Sequence, residues 1–284
     1  MQPTPSYLTS PTLSFDRDGS RLISVEPDRV EIRDLSRGNR VRIDQPNALS
    51  AIGFADQIWI ASQNDECLHR YTPTGSPIGA KMILPFAEHP MFVAAPCGPP
   101  TAIWGEVALH AEGTGAQLVT TPLPPDNIAL PITHRRFAIS AWRKLLIPSG
   151  RAAQFDVPIS GGAVLAVGSR AAVMLGLGAA RELALVSLGD GTVTSRFTIP
   201  RGVVRLATRS GLVVMLTDPM TLVAVELETG HVLATMQLAR ATRDVAIDPQ
   251  GKRVALRSDR VDVVAVDDLL RWSVTTTQPL HKAG

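Results

Sequence analysis

An all-β fold assembled from a repeated four-stranded unit is what this sequence predicts, on three observations. First, a short apolar run, a glycine turn and a second, alternating apolar run recur along the chain. The glycines marking the turn, Gly38, Gly75, Gly115, Gly150, Gly191 and Gly230, lie 37, 40, 35, 41 and 39 residues apart. A seventh copy at 263–269 lacks the glycine and is expected to turn near Asp268; seven units of about 38 residues fill about 270 of the 284 positions. Second, 22 glycines and 22 prolines against 5% aromatics suit a turn-rich globule, and 45% hydrophobic with 19% charged residues exclude a disordered acidic chain or a coiled coil. Third, no long stretch carries a helical period with N-cap signals, which argues against an α/β alternation.

Each unit divides into strands by period-2 or short continuous apolar patterns bounded by turn residues. The sixth is the clearest, with strands expected at 203–208, 212–217, 222–227 and 232–238. A lone four-stranded meander leaves apolar faces open to water, and setting such sheets radially lets each bury against its neighbours. The predicted fold is therefore a single-domain, seven-bladed β-propeller of four-stranded antiparallel blades. The blades fall at 11–45, 48–85, 89–124, 126–158, 161–200, 202–239 and 242–276, followed by a flexible tail at 277–284. The chain continues past its seventh third strand into Arg271-Trp-Ser-Val-Thr-Thr, which is expected to complete the last blade, with closure either lacking strand exchange or using residues 6–9.

Particular residues carry a family resemblance. Leu13-Ser-Phe-Asp-Arg-Asp-Gly-Ser-Arg-Leu-Ile-Ser, followed by Val30-Glu-Ile-Arg-Asp-Leu, resembles a WD40-type repeat, with Arg33-Asp34 where Trp-Asp would stand; Val245-Ala-Ile-Asp-Pro-Gln-Gly repeats the turn 232 residues on. The sixth unit, Ala224-Val-Glu-Leu-Glu-Thr-Gly-His, is similar instead to the quinoprotein-like repeat, with Glu226 for its Asp and Ala234 for its docking Trp. The resemblance covers three of the seven units, and at their WD40 positions the Gly-His pair and Asp-His-Ser/Thr-Trp network of strong WD40 repeats are missing. It implies a propeller that works as an interaction platform.

Signatures of chemistry are few. The six histidines are scattered, with no H-E-x-x-H and no C-x-x-C pair, and Cys67-Leu-His69 places only two metal-ligating groups on one strand face. No G-x-S-x-G elbow or Walker loop is present, and Gly161-Gly162, Gly176-Leu-Gly178 and Gly189-Asp-Gly191 are read as turns and bends. The predicted inner strands, 12–16, 49–54, 91–95, 128–132, 163–167, 203–207 and 243–247, carry only Asp16, Arg205, Arg243 and Asp244 as charges, too few oxygens for a lactonase-type cation site. Arg205 and Arg243 are expected to pair with Asp244 or line a solvated channel. Trp59, Trp104, Trp142 and Trp272 are read as second- or fourth-strand residues packed between blades, and no cofactor is expected.

A net charge of +2 gives no whole-molecule footprint for nucleic acid, yet residues 133–210 hold eleven bases and three acids. Of the 28 bases 24 are arginine, the bias of a GC-rich, bacterial-like composition. Arginine beside tryptophan is the chemistry of an interface hot spot, so Arg135, Arg136, Trp142, Arg143, Arg205 and Arg243 are the candidate protein-binding residues. Two cysteines, a proline-bearing N-terminus without a charged n-region, and apolar stretches broken by prolines or charges point to a cytoplasmic protein with no membrane contact. The reading is a non-catalytic, WD40-like protein-protein interaction scaffold, with one or more proteins as partners and nucleic acid disfavoured. The alternatives are a channel-based propeller enzyme, lactonase-like or a degenerate quinoprotein, and an anion or nucleic-acid binder using the basic sector.

Overall fold

The structure is a computed structural model that describes residues 12–54, 56–62, 67–83, 91–93, 101–104, 107–112, 117–122, 128–133, 136–165, 169–177, 181–200, 202–207 and 209–272. Its strands form successive antiparallel meanders in which sequence neighbours pair. Sheet one holds β1 (Leu13–Phe15), β2 (Arg21–Val25), β3 (Val30–Asp34) and β4 (Arg40–Ile43); sheet two holds β5 (Ala48–Phe54), β6 (Gln57–Ser62), β7 (Cys67–Tyr71) and β8 (Met82–Ile83). Sheet three holds β9 (Met91–Val93), β10 (Thr101–Trp104), β11 (Val107–Glu112) and β12 (Gln117–Pro122); sheet four holds β13 (Ile128–Thr133), β14 (Arg136–Ala141), β15 (Lys144–Leu146) and β16 (Ala152–Gln154). Sheet five holds β17 (Ile159–Val164), β18 (Arg170–Leu175), β19 (Arg181–Ser187) and β20 (Val193–Ile199); sheet six holds β21 (Val203–Leu206), β22 (Leu212–Asp218), β23 (Thr221–Glu226) and β24 (Val232–Gln237). The last sheet has three strands among the described residues, β25 (Asp244–Ile247), β26 (Arg253–Arg257) and β27 (Val261–Ala265).

Sheet five shows why these meanders stack. On β18, Ala171, Val173 and Leu175 pack with Leu130, Leu145 and Phe155 of sheet four and the residue following it, whereas Ala172 and Met174 pack toward Val213 and Met215 of sheet six. Alternate side chains thus serve two different cores, and the strand, covered on both faces, reads as a nearly continuous apolar run. Burying each Val, Leu or Phe contributes about 1.5–3 kcal/mol, which no isolated meander could obtain. The first strands lie side by side: β1 between β5 and β25, β21 beside β25, β5 beside β9, and β13 beside β17. The first and last sheets therefore adjoin, through Leu13, Phe15 and Leu22 against Ala246 and Ala255.

The repeat glycines have a common structural cause. Gly38, Gly75, Gly150, Gly191 and Gly230 all sit between the third and fourth strands of their sheets with φ of 73°, 87°, 82°, 81° and 70°; Gly115 lies outside the described residues. At Gly38 an added Cβ would meet nothing within 4 Å, but at Gly230 it would lie 2.7 Å from the buried Phe197 ring. Gly38→Ala is therefore expected to cost about 1 kcal/mol from backbone strain alone, and Gly230→Ala about 2 kcal/mol because overpacking is added. Urea denaturation of the two variants checks that ranking; equal losses would mean that the turn relaxes away from Phe197.

One expectation needs correction. Arg271 and Trp272 do not extend a strand: residues Val266–Trp272 form a helix, α1. Val266 and Leu269, three apart, are both buried beside Leu216 and Leu238 of sheet six, while Asp267 and Asp268 in the first turn and Arg271 in the last complement the helix dipole. The expected turn at Asp268 thus falls inside the helix. The rest of the run expected to complete the last blade, 273–276, lies outside the described residues, as do residues 6–9 and the tail at 277–284. Among the described residues no helix is long and apolar enough to cross a membrane.

Candidate functional site

Two of the candidate residues of the basic sector, Trp142 and Arg143, share one tight hairpin. Ala141 pairs with Lys144, so Trp142 and Arg143 are the two central residues joining β14 to β15. Trp142 has φ of 55° and is 59% exposed. Among the described residues only Asn47 shares a positive φ without being glycine. A bulky aromatic in this region is strained, and glycine or asparagine is the usual occupant. The hairpin is nonetheless fixed: the Trp142 carbonyl accepts the Ile159 N–H and the Arg143 carbonyl accepts the Phe155 N–H, both at 2.8 Å. Next to it Leu146 is 42% exposed while Leu145 fills the core. Trp142 is therefore not packed between sheets as the sequence suggested; the two-residue hairpin turns it outward. Trp59, on the second strand of sheet two, is buried as expected, and Trp104 lies on β10.

Elsewhere in the basic sector Arg170, Arg181 and Arg196 are occupied, while Arg151 and Arg209 are exposed. Arg196 is held by Glu182 and by Asp156 at 2.8 Å, and its guanidinium pulls the Asp156 carboxyl below the usual carboxylate range. Arg170 pairs with Glu228, and Arg181 donates to the Gly202 carbonyl at 2.7 Å. Exposed Arg143 and Lys144 remain beside Trp142. Arg136 starts β14, and Arg135 lies outside the described residues.

Arg205 and Arg243 separate in space from that hairpin. Arg205 Nη2 donates to Asp244 Oδ1 at 2.8 Å, and both side chains are largely buried. Burial pushes the guanidinium pKa down, with Asp244 acting the other way. Asp244 Oδ1 also accepts the Val245 N–H, and Oδ2 accepts the Thr12 hydroxyl at 2.6 Å. One carboxylate thus joins sheets six, seven and one, as the sequence anticipated for the pair. Arg243 is exposed and lines a cleft at the junction between the last and first sheets. Cys67 is buried, and His69, two residues on, stacks on Tyr71 with ring centroids 6.4 Å apart. No group of three or more metal-ligating side chains occurs among the described residues.

No family model and no curated protein matches this sequence. Solved structures do. Hsv2 of Kluyveromyces lactis superposes with a TM-score of 0.64 at 14% identity, covering 89% of this chain and 92% of that one. A chain of a mitotic checkpoint complex superposes with a TM-score of 0.65 at 8% identity, covering 93% of this chain and 89% of that one. Both are WD40-type propellers. At such identities the likeness concerns the fold, and it agrees with the meander sheets and their packing: this chain has a β-propeller fold.

Proposed function

We propose that this protein is a non-catalytic interaction scaffold in which the seven sheets close into one seven-bladed ring, and that the Trp142 hairpin is the centre of its protein-binding surface. The observation carrying this reading is the exposed, positive-φ tryptophan on a backbone-locked turn. Strain of this kind costs about 1–3 kcal/mol and persists where the surroundings enforce it, typically at sites that bind. Tryptophan flanked by Arg143 and Lys144 has the composition of an interface hot spot, and a rigid hairpin loses little entropy when a partner docks. The likeness to a chain of a mitotic checkpoint complex supports a role in a multi-protein assembly.

Trp142→Gly separates binding from folding. Relief of about 1 kcal/mol of backbone strain offsets the lost partial packing of the indole, so the melting temperature should stay within about 3 °C of wild type. Recovery of the co-purifying partner from the native cell should fall by about tenfold or more. Arg143→Glu should reduce it as well. Undiminished recovery of the same partner with both variants would remove this hairpin from the interface.

A further inference from the structure

Where the last sheet meets the first, Leu13, Phe15 and Leu22 pack against Ala246, Ala255, Val261 and Val263, and beside this apolar contact opens a cleft of about 660 Å³. The two faces of sheet one account for its lining. Ile23, Val25, Val30 and Ile32 point into the core shared with sheet two, so Leu22, Ser24, Glu31 and Arg33, the alternate positions, face the cleft. From the last sheet, Arg257 and the turn joining β26 to β27 form the opposite wall, with Arg243 at its edge.

The charges in this cleft do not cancel. Glu26 holds Arg29 at 2.5 Å, Glu31 lies 3.6 Å from Arg40, Asp262 holds Arg260 at 3.0 Å, and Asp259 is taken by Arg240 at 3.1 Å. Every lining carboxylate is thereby matched to an arginine. Three lining arginines are left without a carboxylate among the described residues: Arg33, Arg243 and Arg257. Arg257 is already oriented, its Nη1 donating to the carbonyls of Val25 at 2.6 Å and Thr12 at 3.2 Å. Arg33 is half-buried and lies directly opposite Arg40 across the strands, where the neighbouring carboxylate, Glu31, is taken by Arg40, and like charges directly opposite destabilise a sheet.

We propose that this cleft binds a compact small molecule carrying a polyvalent oxyanion, gripped by Arg33 from the first sheet and by Arg243 and Arg257 from the last. Guanidinium forks match such oxygens in pairs. The volume lies within the usual range for small-molecule sites. A long polyanion is disfavoured, because the paired carboxylates around these three guanidiniums would repel its backbone. The site is separate from the Trp142 hairpin and does not depend on that hairpin's role.

Isothermal titration of the full chain with inorganic pyrophosphate and, separately, with citrate tests the assignment and tells a phosphate from a carboxylate head group. At least one should bind with a Kd of about 1 mM or tighter, and Arg33→Met and Arg243→Met should each weaken it about tenfold, equivalent to about 1.4 kcal/mol. Arg33→Lys, which keeps the charge but loses the fork, should fall between. Arg37→Met, on the neighbouring turn, should bind as wild type. Circular dichroism melts of each variant confirm that the fold persists. Absence of binding by both anions, binding that survives both methionine substitutions, or binding of a hexaglutamate peptide where both small anions fail would each overturn the proposal.

Discussion

Asp244→Ala is expected to destabilise the protein by about 3–5 kcal/mol, the loss typical when one partner of a buried ion pair is removed. The side chains of Arg205 and Asp244 are 14% and 13% exposed, and the Arg205 Nε already lacks a partner. Without the carboxylate the guanidinium stays enclosed with only the Val204 carbonyl, 2.9 Å from Nη1, to receive its donors. The Thr12 hydroxyl loses its acceptor at the same time, so the link from the last sheet to the first weakens together with the link to the sixth. Arg205→Met/Asp244→Ala should recover a large part of the loss, because the double variant buries no uncompensated charge. Urea denaturation of the two singles and the double gives the coupling energy. Additive effects, or a loss below about 1 kcal/mol for Asp244→Ala, would mean that water solvates the pair and that the junction is held by its apolar contacts alone.

The same carboxylate marks how far the sequence could be read. Its pairing with Arg205 was legible because the predicted inner strands contain so few charges; its bond to Thr12, 232 residues away, was not, since it depends on the first and last sheets lying side by side. The strands of sheet six were legible because turns such as Glu226–Gly230 punctuate clear apolar runs. Helix α1 was missed: Val266-Asp-Asp-Leu-Leu-Arg-Trp is short, and its buried Val266 and Leu269 can be told from strand residues only by the groove they fill. In the sequence Arg33 stands out only as the residue where a Trp-Asp pair would begin. A signal was present in the alternating Glu31, Arg33, Arg40 and Arg42, which make one face of β3 and β4 charged where a packed sheet face should be apolar. The pairing of Trp142 with arginine is legible in composition, but its outward placement follows from a two-residue turn that composition does not encode.

Asp16→Asn should remove a pH dependence of folding that the wild type carries between about pH 4 and 6. Asp16 opens the turn that leads to Gly19, and its counterpart Asp248 opens the matching turn that leads to Gly251; both are buried, and each accepts a backbone N–H with Oδ1, from Arg21 at 2.9 Å and Lys252 at 2.8 Å. Burial raises the Asp16 pKa from 3.8 to about 6, outweighing the backbone bond from Arg21, and nearby Asp18 adds to the rise. The folded protein therefore holds a proton on Asp16 at a pH where the unfolded chain has released it, so stability falls as pH increases. The contribution is fully present below pH 3.8 and is lost as pH rises through about 6. The difference amounts to about 3 kcal/mol at the 1.36 kcal/mol that one pKa unit represents. Asparagine keeps an oxygen for the Arg21 N–H but has no charge to desolvate. Relative to wild type, Asp16→Asn should thus become more stable by about that amount between pH 4 and pH 7, on top of a pH-independent loss of about 1 kcal/mol at the Ser20 hydroxyl, which loses its acceptor at 3.1 Å. Urea titrations of both proteins at unit pH steps measure this. Parallel profiles would show that Arg21, 3.8 Å from Oδ2, already stabilises the ionised carboxylate enough to cancel its burial.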